Sequence, residues 1–339
     1  MTDTLADIAH RMVAPGKGIL AADESTGSIE KRFASINIPN TEENRRDYRE
    51  MLFSSRDALK SYVSGVILFD ETLRQTATNG MRLADLITGA GAIPGIKVDK
   101  GPKPLPFTDG ETVTEGLDGL AARVKEYYGL GARFAKWRAV IDIGGGKPSY
   151  NAIHANAQAL ARYAAICQDG GLVPMVEPEV LMDGDHDIDT CMQATEWVLK
   201  EVYQELFIAR VKLEGTILKP NMVLSGKKCP KQASREEVAE KTLIVLKRCV
   251  PPAVPGIAFL SGGQSEEEAT AHLQLMNAAG PLPWRLTFSY GRALQSAALK
   301  AWAGKAANVA AGQKAFAHRA QMNALATSGK WSEKLEKAA

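Results

Sequence analysis

Cysteine is scarce in this sequence of 339 residues, which contains only Cys167, Cys191, Cys229 and Cys249. None of them forms a Cys-x-x-Cys pair, so the pattern excludes a disulfide-stapled secreted module. We expect reduced thiols of the kind found in the cytoplasm. The five histidines are scattered and include no His-x-x-x-His pair, so their spacing predicts no zinc site.

An excess of charge of one sign is also missing. Lysine and arginine number 41 against 39 aspartates and glutamates, and this formal net charge of +2 gives no bulk attraction to nucleic acid or to an anionic membrane. The longest uncharged run, residues 249–265, is broken by prolines and glycines and cannot span a membrane. The first ten residues carry Asp3 and Asp7 and no apolar stretch, so we expect no signal peptide and a cytoplasmic protein.

Short apolar runs recur along the chain, and each lies close to glycine or proline. Eight of them have the length and composition of β-strands, at 18–23, 65–70, 94–99, 132–138, 172–179, 215–220, 256–263 and 285–292. Helical sequence fills the gaps, and residues 293–339 are predicted to form a C-terminal helical region with a short tail. This alternation predicts an α/β fold: a single (β/α)8 TIM barrel, residues 1–339, with extra terminal helices. A doubly wound open sheet is the alternative.

Chemically reactive residues follow seven of the eight predicted strands. Catalytic groups of such barrels gather at the carboxyl ends of the strands. The residues at these ends are Asp23, Lys97, Asp99, Lys136, Arg138, Glu177, Glu179, Lys219, Ser261, Gly262, Gly263, Gly291 and Arg292. On a single strand, a charged residue at the end could simply extend its side chain into solvent. The repetition instead indicates one shared polar cavity, because charged residues are rarely buried without partners.

Spacing within two of the strands supports this interpretation. Lys136 and Arg138 are two residues apart, as are Glu177 and Glu179, so each pair lies on one face of its strand. If that face points inward, two cations and two carboxylates enter the same cavity.

Lys219 stands between apolar residues and Pro220. Apolar neighbours and nearby cations disfavour the ammonium form of a lysine. The neutral amine is a nucleophile that attacks carbonyl carbon to form a Schiff base. The alternative is a buried lysine paired with a glutamate, and Glu177 could be both its partner and its proton carrier.

Two groups of residues are candidates for binding anions. Residues 261–265 and the Gly291–Arg292 pair offer backbone N–H groups and a guanidinium after strands seven and eight, where such barrels often hold phosphate. Residues 25–28 with Lys31, Arg32 and Lys97 form the second group. Two anion sites at opposite ends of one cavity predict a substrate phosphorylated at both ends.

Seven motifs, taken together, resemble those of the class I fructose-bisphosphate aldolase family. They are LAADESTGS (20–28), GIKVDKG (95–101), FAKWR (134–138), VEPE (176–179), LEGTILKPNMV (213–223), LSGGQSEEEA (260–269) and LTFSYGRALQ (286–295). The resemblance extends from about residue 6 to about residue 302. It implies a (β/α)8 barrel that cleaves fructose 1,6-bisphosphate reversibly into dihydroxyacetone phosphate and glyceraldehyde 3-phosphate in glycolysis and gluconeogenesis, without a metal or other cofactor.

The resemblance also implies roles for individual residues. Lys219 would form the Schiff base, Glu177 would move protons as the carbinolamine forms and dehydrates, and Asp23 would deprotonate the hydroxyl on carbon 4. Lys136 would favour the neutral amine of Lys219 and hold substrate, with Glu179, Arg138 and Lys97 ordering the charges. The expected phosphate-binding residues are Ser261, Gly262, Gly263, Ser289, Gly291 and Arg292 for one end, and Ser25, Ser28, Arg32 and Lys97 for the other.

The resemblance further implies a homotetramer, and we expect it in the cytoplasm. One departure is visible, because many relatives end in a tyrosine that assists proton exchange on the enamine, whereas the last tyrosine here is Tyr290. We expect normal Schiff-base formation with altered enamine protonation. Two other functions remain open from the sequence: a Schiff-base aldolase for another keto sugar, and a non-catalytic scaffold built on the same barrel.

Overall fold

The computed structural model describes residues 3–337. Eight parallel strands close into a barrel, and two short antiparallel strands form a separate hairpin. The barrel strands are β1 (Gly18–Ala22), β2 (Val63–Leu68), β3 (Ile93–Lys97), β6 (Phe134–Ile141), β7 (Val173–Val180), β8 (Ile217–Leu218), β9 (Gly256–Phe259) and β10 (Arg285–Tyr290). They follow one another around the barrel in the order β1-β10-β9-β8-β7-β6-β3-β2. The closed barrel confirms the predicted fold and excludes the open sheet.

All eight predicted strands are present, with shifts of a few residues at their ends. Two strands are shorter than predicted: β8 forms only at Ile217–Leu218 rather than over 215–220, and β9 ends at Phe259 rather than at residue 263. The hairpin of β4 (Pro102–Pro104) and β5 (Thr112–Thr114) is not predicted. Its first strand is exposed and contains two prolines, a composition that disfavours a strand unless it lies at an edge.

Fourteen helices lie in the part of the chain that the structure describes. They are α1 (Leu5–Met12), α2 (Thr26–Ala34), α3 (Glu42–Phe53), α4 (Arg56–Tyr62), α5 (Asp70–Arg74), α6 (Leu83–Gly89), α7 (Leu120–Gly129), α8 (Tyr150–Asp169), α9 (Ile188–Ile208), α10 (Arg235–Cys249), α11 (Glu266–Ala278), α12 (Arg292–Trp302), α13 (Val309–Ala326) and α14 (Glu333–Glu336). The predicted C-terminal helical region corresponds to the last three. Its final two residues lie outside the described part.

Local sequence explains where helix α11 begins. The Ser265 hydroxyl accepts from the N–H of Glu268, whose carboxylate in turn accepts from the N–H of Ser265. This reciprocal capping satisfies two N–H groups that the helix itself cannot pair. The loop between β9 and α11 therefore has a fixed end, which orients the residues that follow β9.

The amino-terminal half of the barrel interior is apolar. Helix α1 packs Ile8, Ala9 and Met12 against inward-facing strand residues that include Phe134 and Met175. A methyl group on Gly95 would lie 2.3 Å from the Phe134 ring, so only glycine leaves room for that ring. This apolar plug leaves only the opposite end of the barrel interior for a polar site.

Two further observations concern the chain as a whole. None of the described helices combines the length and the apolar character that crossing a bilayer needs. All four cysteines are free, and Cys167 and Cys191 are buried.

Candidate active site

The carboxyl ends of the barrel strands surround an open cavity of about 290 Å³. Of the sixteen residues to which the family resemblance assigns roles in the site, fifteen line it: Asp23, Ser25, Ser28, Arg32, Lys97, Lys136, Arg138, Glu177, Glu179, Lys219, Ser261, Gly262, Ser289, Gly291 and Arg292. The remaining one, Gly263, lines the adjoining cavity together with Arg138, Glu179 and Arg292. The strand-end residues therefore do share one polar space.

Four charged side chains form a continuous chain of contacts at the floor of this cavity. The Nζ atom of Lys219 lies 3.0 Å from Oε1 of Glu177, and the Nζ atom of Lys136 lies 3.3 Å from Oε2 of the same carboxylate. Lys136 also lies 2.7 Å from Oδ2 of Asp23. Lys219, Lys136 and Glu177 are all at least 95% buried. One carboxylate thus connects the two lysines, and the second lysine connects the two carboxylates.

Burial and mutual attraction act against each other in this cluster. Burial by itself raises the pKa of Asp23, but the charges of Lys136 and Lys219 outweigh it and bring the pKa down to about 2. Burial likewise lowers the pKa of Lys136, whereas Asp23 and Glu177 raise it well above its ordinary value. At neutral pH Asp23 is therefore a carboxylate and Lys136 a cation, and the two are held in contact.

The outer rim of the same strands carries two more ion pairs. Arg138 donates from Nε to Glu179. Burial by itself lowers the pKa of the Arg138 guanidinium, but the charge of Glu179 outweighs burial and raises that pKa. Lys97 lies 2.8 Å from Oδ1 of Asp99 and also donates to its backbone carbonyl. The inward face predicted from the two-residue spacing of Lys136–Arg138 and Glu177–Glu179 is correct, since all four line the cavity.

The loop after β9 passes close to a methionine side chain. A methyl group on Gly263 would lie 2.2 Å from Cγ of Met182, and Gly263 has a φ of +79°, a value that favours glycine. Ser261 is buried beside it, and its neighbour Gly262 has Met182 and Leu260 within 3.1 Å of a built methyl group. The glycines here allow a backbone turn so tight that other residues would not fit.

Helix α12 begins directly at the cavity. Its first turn has no side-chain cap, so its N–H groups and the positive end of its dipole face the cavity residues. By contrast, three glutamates occupy the first turn of α11 and disfavour an anion there. The anion-binding end predicted after strands seven and eight is therefore better suited to the start of α12 than to the start of α11.

Arg292, the first residue of α12, is tied to the loop after β9. Its guanidinium donates to the carbonyl of Gln264, whose side-chain Oε1 lies 2.6 Å from Nδ1 of His272. Burial lowers the pKa of His272 to about 4, so this imidazole is neutral at pH 7. A buried neutral histidine thus holds the loop that carries Ser261 and Gly262.

The second predicted anion group lies on α2 and adjoins the first one. The Ser25 and Ser28 hydroxyls are 3.1 Å apart, and a methyl group on Gly291 would lie 3.3 Å from Nη2 of Arg32. The sequence prediction of two groups at opposite ends is therefore incorrect for Arg32, because α2 follows β1, the neighbour of β10. Lys97 lies on β3, which only β2 separates from β1. Lys31, also predicted, lines a separate groove with Ser35.

Sequence reasoning missed the residues that fix Arg32. Oε1 of Glu24 lies 2.5 Å from Nη1 of Arg32 and accepts a hydrogen bond from Gln295 at 2.9 Å, while buried Arg49 donates to the Glu24 carbonyl. Glu24 directly follows Asp23 at a strand end, so the strand-end rule could have found it. A buried glutamine on the apolar face of α12 carries no comparable signal.

A larger cavity, about 780 Å³, lies at the amino-terminal end of the barrel. Its lining includes prolines and loop residues that precede β1, β9 and β10, with His10, Lys17 and Arg285 as the ionisable groups. It contains no carboxylate beside a lysine. Of these two cavities, as lined by residues that the structure describes, only the smaller one places a buried lysine beside a carboxylate.

Comparison with known proteins agrees with this geometry. The family model described as "Glycolytic: Fructose-bisphosphate aldolase class-I" matches residues 4–339. A probable fructose-bisphosphate aldolase class 1 from Xanthomonas axonopodis pv. citri is 59% identical over 97% of this chain and 98% of the relative. The Arabidopsis thaliana fructose-bisphosphate aldolase 5, cytosolic, is 58% identical over 97% of this chain and 92% of the relative.

Solved structures give the same result. The fructose-bisphosphate aldolase of Plasmodium falciparum, solved in complex with TRAP and a small-molecule inhibitor, superposes with a TM-score of 0.95 at 52% identity, covering 97% of this chain and 95% of that chain. A match of this extent, together with a buried lysine bridged to a glutamate at the mouth of the barrel, means that the chain belongs to the class I fructose-bisphosphate aldolase family.

Proposed function

We propose that Lys219 carries out the family's reaction, the reversible aldol cleavage of fructose 1,6-bisphosphate, by forming a Schiff base with the ketone of the substrate. The observation that supports this most strongly is its contact with Glu177, at 3.0 Å in a buried site. A primary amine attacks a carbonyl carbon only when it is unprotonated. A carboxylate at this distance can take up the proton that the amine must lose.

Glu177 is our candidate for the proton steps around the Schiff base. After Lys219 attacks carbon 2, the former carbonyl oxygen becomes a hydroxyl and must leave as water, which requires a proton. Glu177 contacts Lys219 through one oxygen and Lys136 through the other, so it can receive a proton and return it within the same cluster. The product of these steps is an iminium ion.

Asp23 is our candidate base for the carbon–carbon cleavage. It would take the proton from the hydroxyl on carbon 4, which becomes the aldehyde of glyceraldehyde 3-phosphate as the bond between carbons 3 and 4 breaks. The electron pair of that bond moves into the iminium and gives an enamine. Protonation at carbon 3 and hydrolysis then release dihydroxyacetone phosphate and free Lys219. The low pKa of Asp23 means that the group is ionised, and so able to accept a proton, before substrate arrives.

Lys136 and the cations of the rim would hold the charges of substrate and enzyme. Lys136 stays protonated, so we assign it to stabilising oxygens rather than to accepting protons. We assign one phosphate to Ser261, Gly262 and the start of α12 with Arg292, with Gly263 and Ser289 close by. The other is assigned to Ser25, Ser28 and Lys97, and Arg32, which adjoins Gly291, is placed between the two groups. Glu179 and Arg138 would hold the neighbouring charged side chains in position through their own ion pair.

Three broader assignments rest on the family. We propose that residues 1–339 act as one barrel domain, that the chain assembles as a homotetramer, and that it works in the cytosol. The last is supported by the cytosolic name of the Arabidopsis relative. Sedimentation of the full-length protein would test the assembly, since a monomer would contradict it.

Borohydride trapping tests the proposed chemistry. The protein is incubated with dihydroxyacetone phosphate, reduced, digested and analysed by mass spectrometry. We expect one adduct per chain, on Lys219. The Lys136→Met variant is the matched control, because it removes the other buried lysine of the cluster and leaves the nucleophile, so it should still form the adduct. An adduct on Lys136, or no adduct at all, would refute the assignment.

A further inference from the structure

A second cluster of ionisable residues lies between helices α8 and α9, outside the cavity described above. It consists of His154 on α8 and of Glu201 and Glu205 on α9. Nδ1 of His154 lies 2.7 Å from Oε1 of Glu201 and 3.7 Å from Oε1 of Glu205, and the three ligand atoms lie within 4.8 Å of one another. Because Glu201 and Glu205 are four residues apart on a helix, both carboxylates project from the same face toward the histidine.

The two carboxylates lack the partners that acids on this helix otherwise have. Glu196, a little over one turn before Glu201, pairs with Lys200 and Arg248. Among residues 3–337, neither Glu201 nor Glu205 pairs with a lysine or an arginine, and His154 is their only ionic partner. Glu205 is nevertheless 92% buried. The Glu205 side chain itself is 11% exposed, so water reaches the carboxylate only in part and a bound cation would add a favourable charge partner.

Aromatic stacking fixes the histidine ring in this arrangement. The Tyr150 ring stacks on His154 at 5.6 Å between centroids and on Trp197 at 6.3 Å, and its hydroxyl donates to Oε1 of Glu201. A ligand that is held in place before binding loses little side-chain entropy when the ion arrives. The cluster is therefore pre-organised on two rigid helices rather than on loops.

We propose that His154, Glu201 and Glu205 bind a divalent first-row transition-metal ion, with Zn²⁺ as the best match. One imidazole nitrogen and two carboxylate oxygens suit Zn²⁺, whereas Ca²⁺ and Mg²⁺ require six or more oxygens. Ligands of a tetrahedral zinc are about 3.3 Å apart. The observed separations of 2.7 and 3.7 Å lie on either side of that value, so binding would lengthen the first by about 0.6 Å and shorten the second by about 0.4 Å, and the two carboxylate oxygens lie within 4.8 Å of each other.

The ion would connect α8 to α9 on the outside of the barrel, with water in the fourth position. Binding replaces the proton on Nδ1 of His154, which leaves to solvent. The site is distinct from catalysis, because none of its three ligands lines the active-site cavity. The sequence predicts no zinc site, and the proposal departs from that prediction because the ligands come from two helices 47 residues apart along the chain.

Titration of the full-length protein with Zn²⁺ tests the site, with heat of binding and the visible spectrum of a Co²⁺-loaded sample as readouts. We expect about one ion per chain with a Kd below about 10 µM, and a tetrahedral Co²⁺ spectrum. His154→Gln and Glu205→Gln should each weaken binding at least about tenfold. Glu196→Gln, on the same helix, is the control that should bind as the wild type does.

Cleavage of fructose 1,6-bisphosphate should be the same in all three variants, so failure of this proposal is separable from failure of the active-site assignment. No Zn²⁺ binding by the wild type at 1 mM would overturn the proposal. Binding by His154→Gln as tight as that of the wild type would overturn it as well. Because His154 is half exposed, its replacement leaves a folded protein even if Glu205→Gln does not.

Discussion

The two ends of the barrel interior are built by the same strands and have opposite chemistry. Along β7, Val173 and Met175 belong to the apolar plug at the amino-terminal end, and Glu177 and Glu179 line the cavity at the other end. Strand β6 repeats the change, from Phe134 to Lys136 and Arg138. Every one of these residues faces inward, because the spacing is two.

The two ends of the barrel interior therefore divide two tasks, stability at the apolar end and chemistry at the charged end. The apolar end contributes stability through burial and close packing. The charged end contributes less to stability, since buried ion pairs recover little more than the cost of removing charges from water. We therefore expect changes at the two ends to have different consequences, which three experiments can measure.

The largest effect is expected at Lys219. Lys219→Met removes the nucleophile and should lower kcat/KM by at least about 10⁴-fold, or about 5.5 kcal/mol in the barrier. The free energy of unfolding should stay within about 1 kcal/mol of the wild-type value, because methionine fills the space and Glu177 keeps Lys136. Steady-state kinetics and urea denaturation measure the two quantities. A loss of several kcal/mol in stability would contradict the separation of tasks.

The apolar end should show the reverse. Phe134→Ala leaves a cavity between Gly65 and Gly95, and we expect the free energy of unfolding to fall by about 3–5 kcal/mol. The fraction that remains folded should keep kcat within about tenfold. Phe107→Ala is the control, because that ring is fully exposed and its removal should change stability by less than about 0.5 kcal/mol. Equal losses in the two variants would refute the role of the plug.

A smaller change tests the balance of charges at Asp23. Lys136→Met removes the strongest cation beside Asp23 and leaves the burial, so the pKa of Asp23 should rise from about 2. In the wild type the lowered pKa stabilises the fold above the unfolded value of 3.8, and that contribution is lost as the pH falls toward 2. In Lys136→Met this contribution of Asp23 to stability should be smaller, because its pKa is no longer lowered by Lys136.

Carbon-13 NMR of labelled aspartate measures this shift. The Asp23 carboxyl signal should stay in its ionised position throughout the folded range of the wild type, and should titrate within that range in the variant. A signal that remains ionised in the variant down to the acid limit of folding would show that Lys136 is not the dominant partner.

The sequence predicts much of this molecule because strand ends follow a simple rule. Alternation of apolar runs with helical segments predicts all eight barrel strands, and the rule about their carboxyl ends predicts that Lys219, Glu177 and Asp23 share one cavity. Two-residue spacing correctly assigned the inward faces of β6 and β7. These features depend on neighbours along one strand, which a sequence records directly.

The remaining features depend on contacts between distant segments. Gln295 reaches Glu24 across 271 positions, and His154 meets Glu201 across 47. Arg32 lies beside Gly291 because closure of the barrel places β1 next to β10. Spacing rules apply to one helix or strand at a time and therefore do not predict contacts between distant segments.

The contact between Lys219 and Glu177 has a consequence for how little the site must rearrange during turnover. The iminium formed on Lys219 would carry its positive charge at a nitrogen that lies 3.0 Å from the Glu177 carboxylate before any substrate is bound. The resting protein therefore already has the field that the covalent intermediate needs. Dipoles that are oriented in advance add no reorganisation energy to the barrier. An ion pair that contributes little to stability can in this way still contribute to rate.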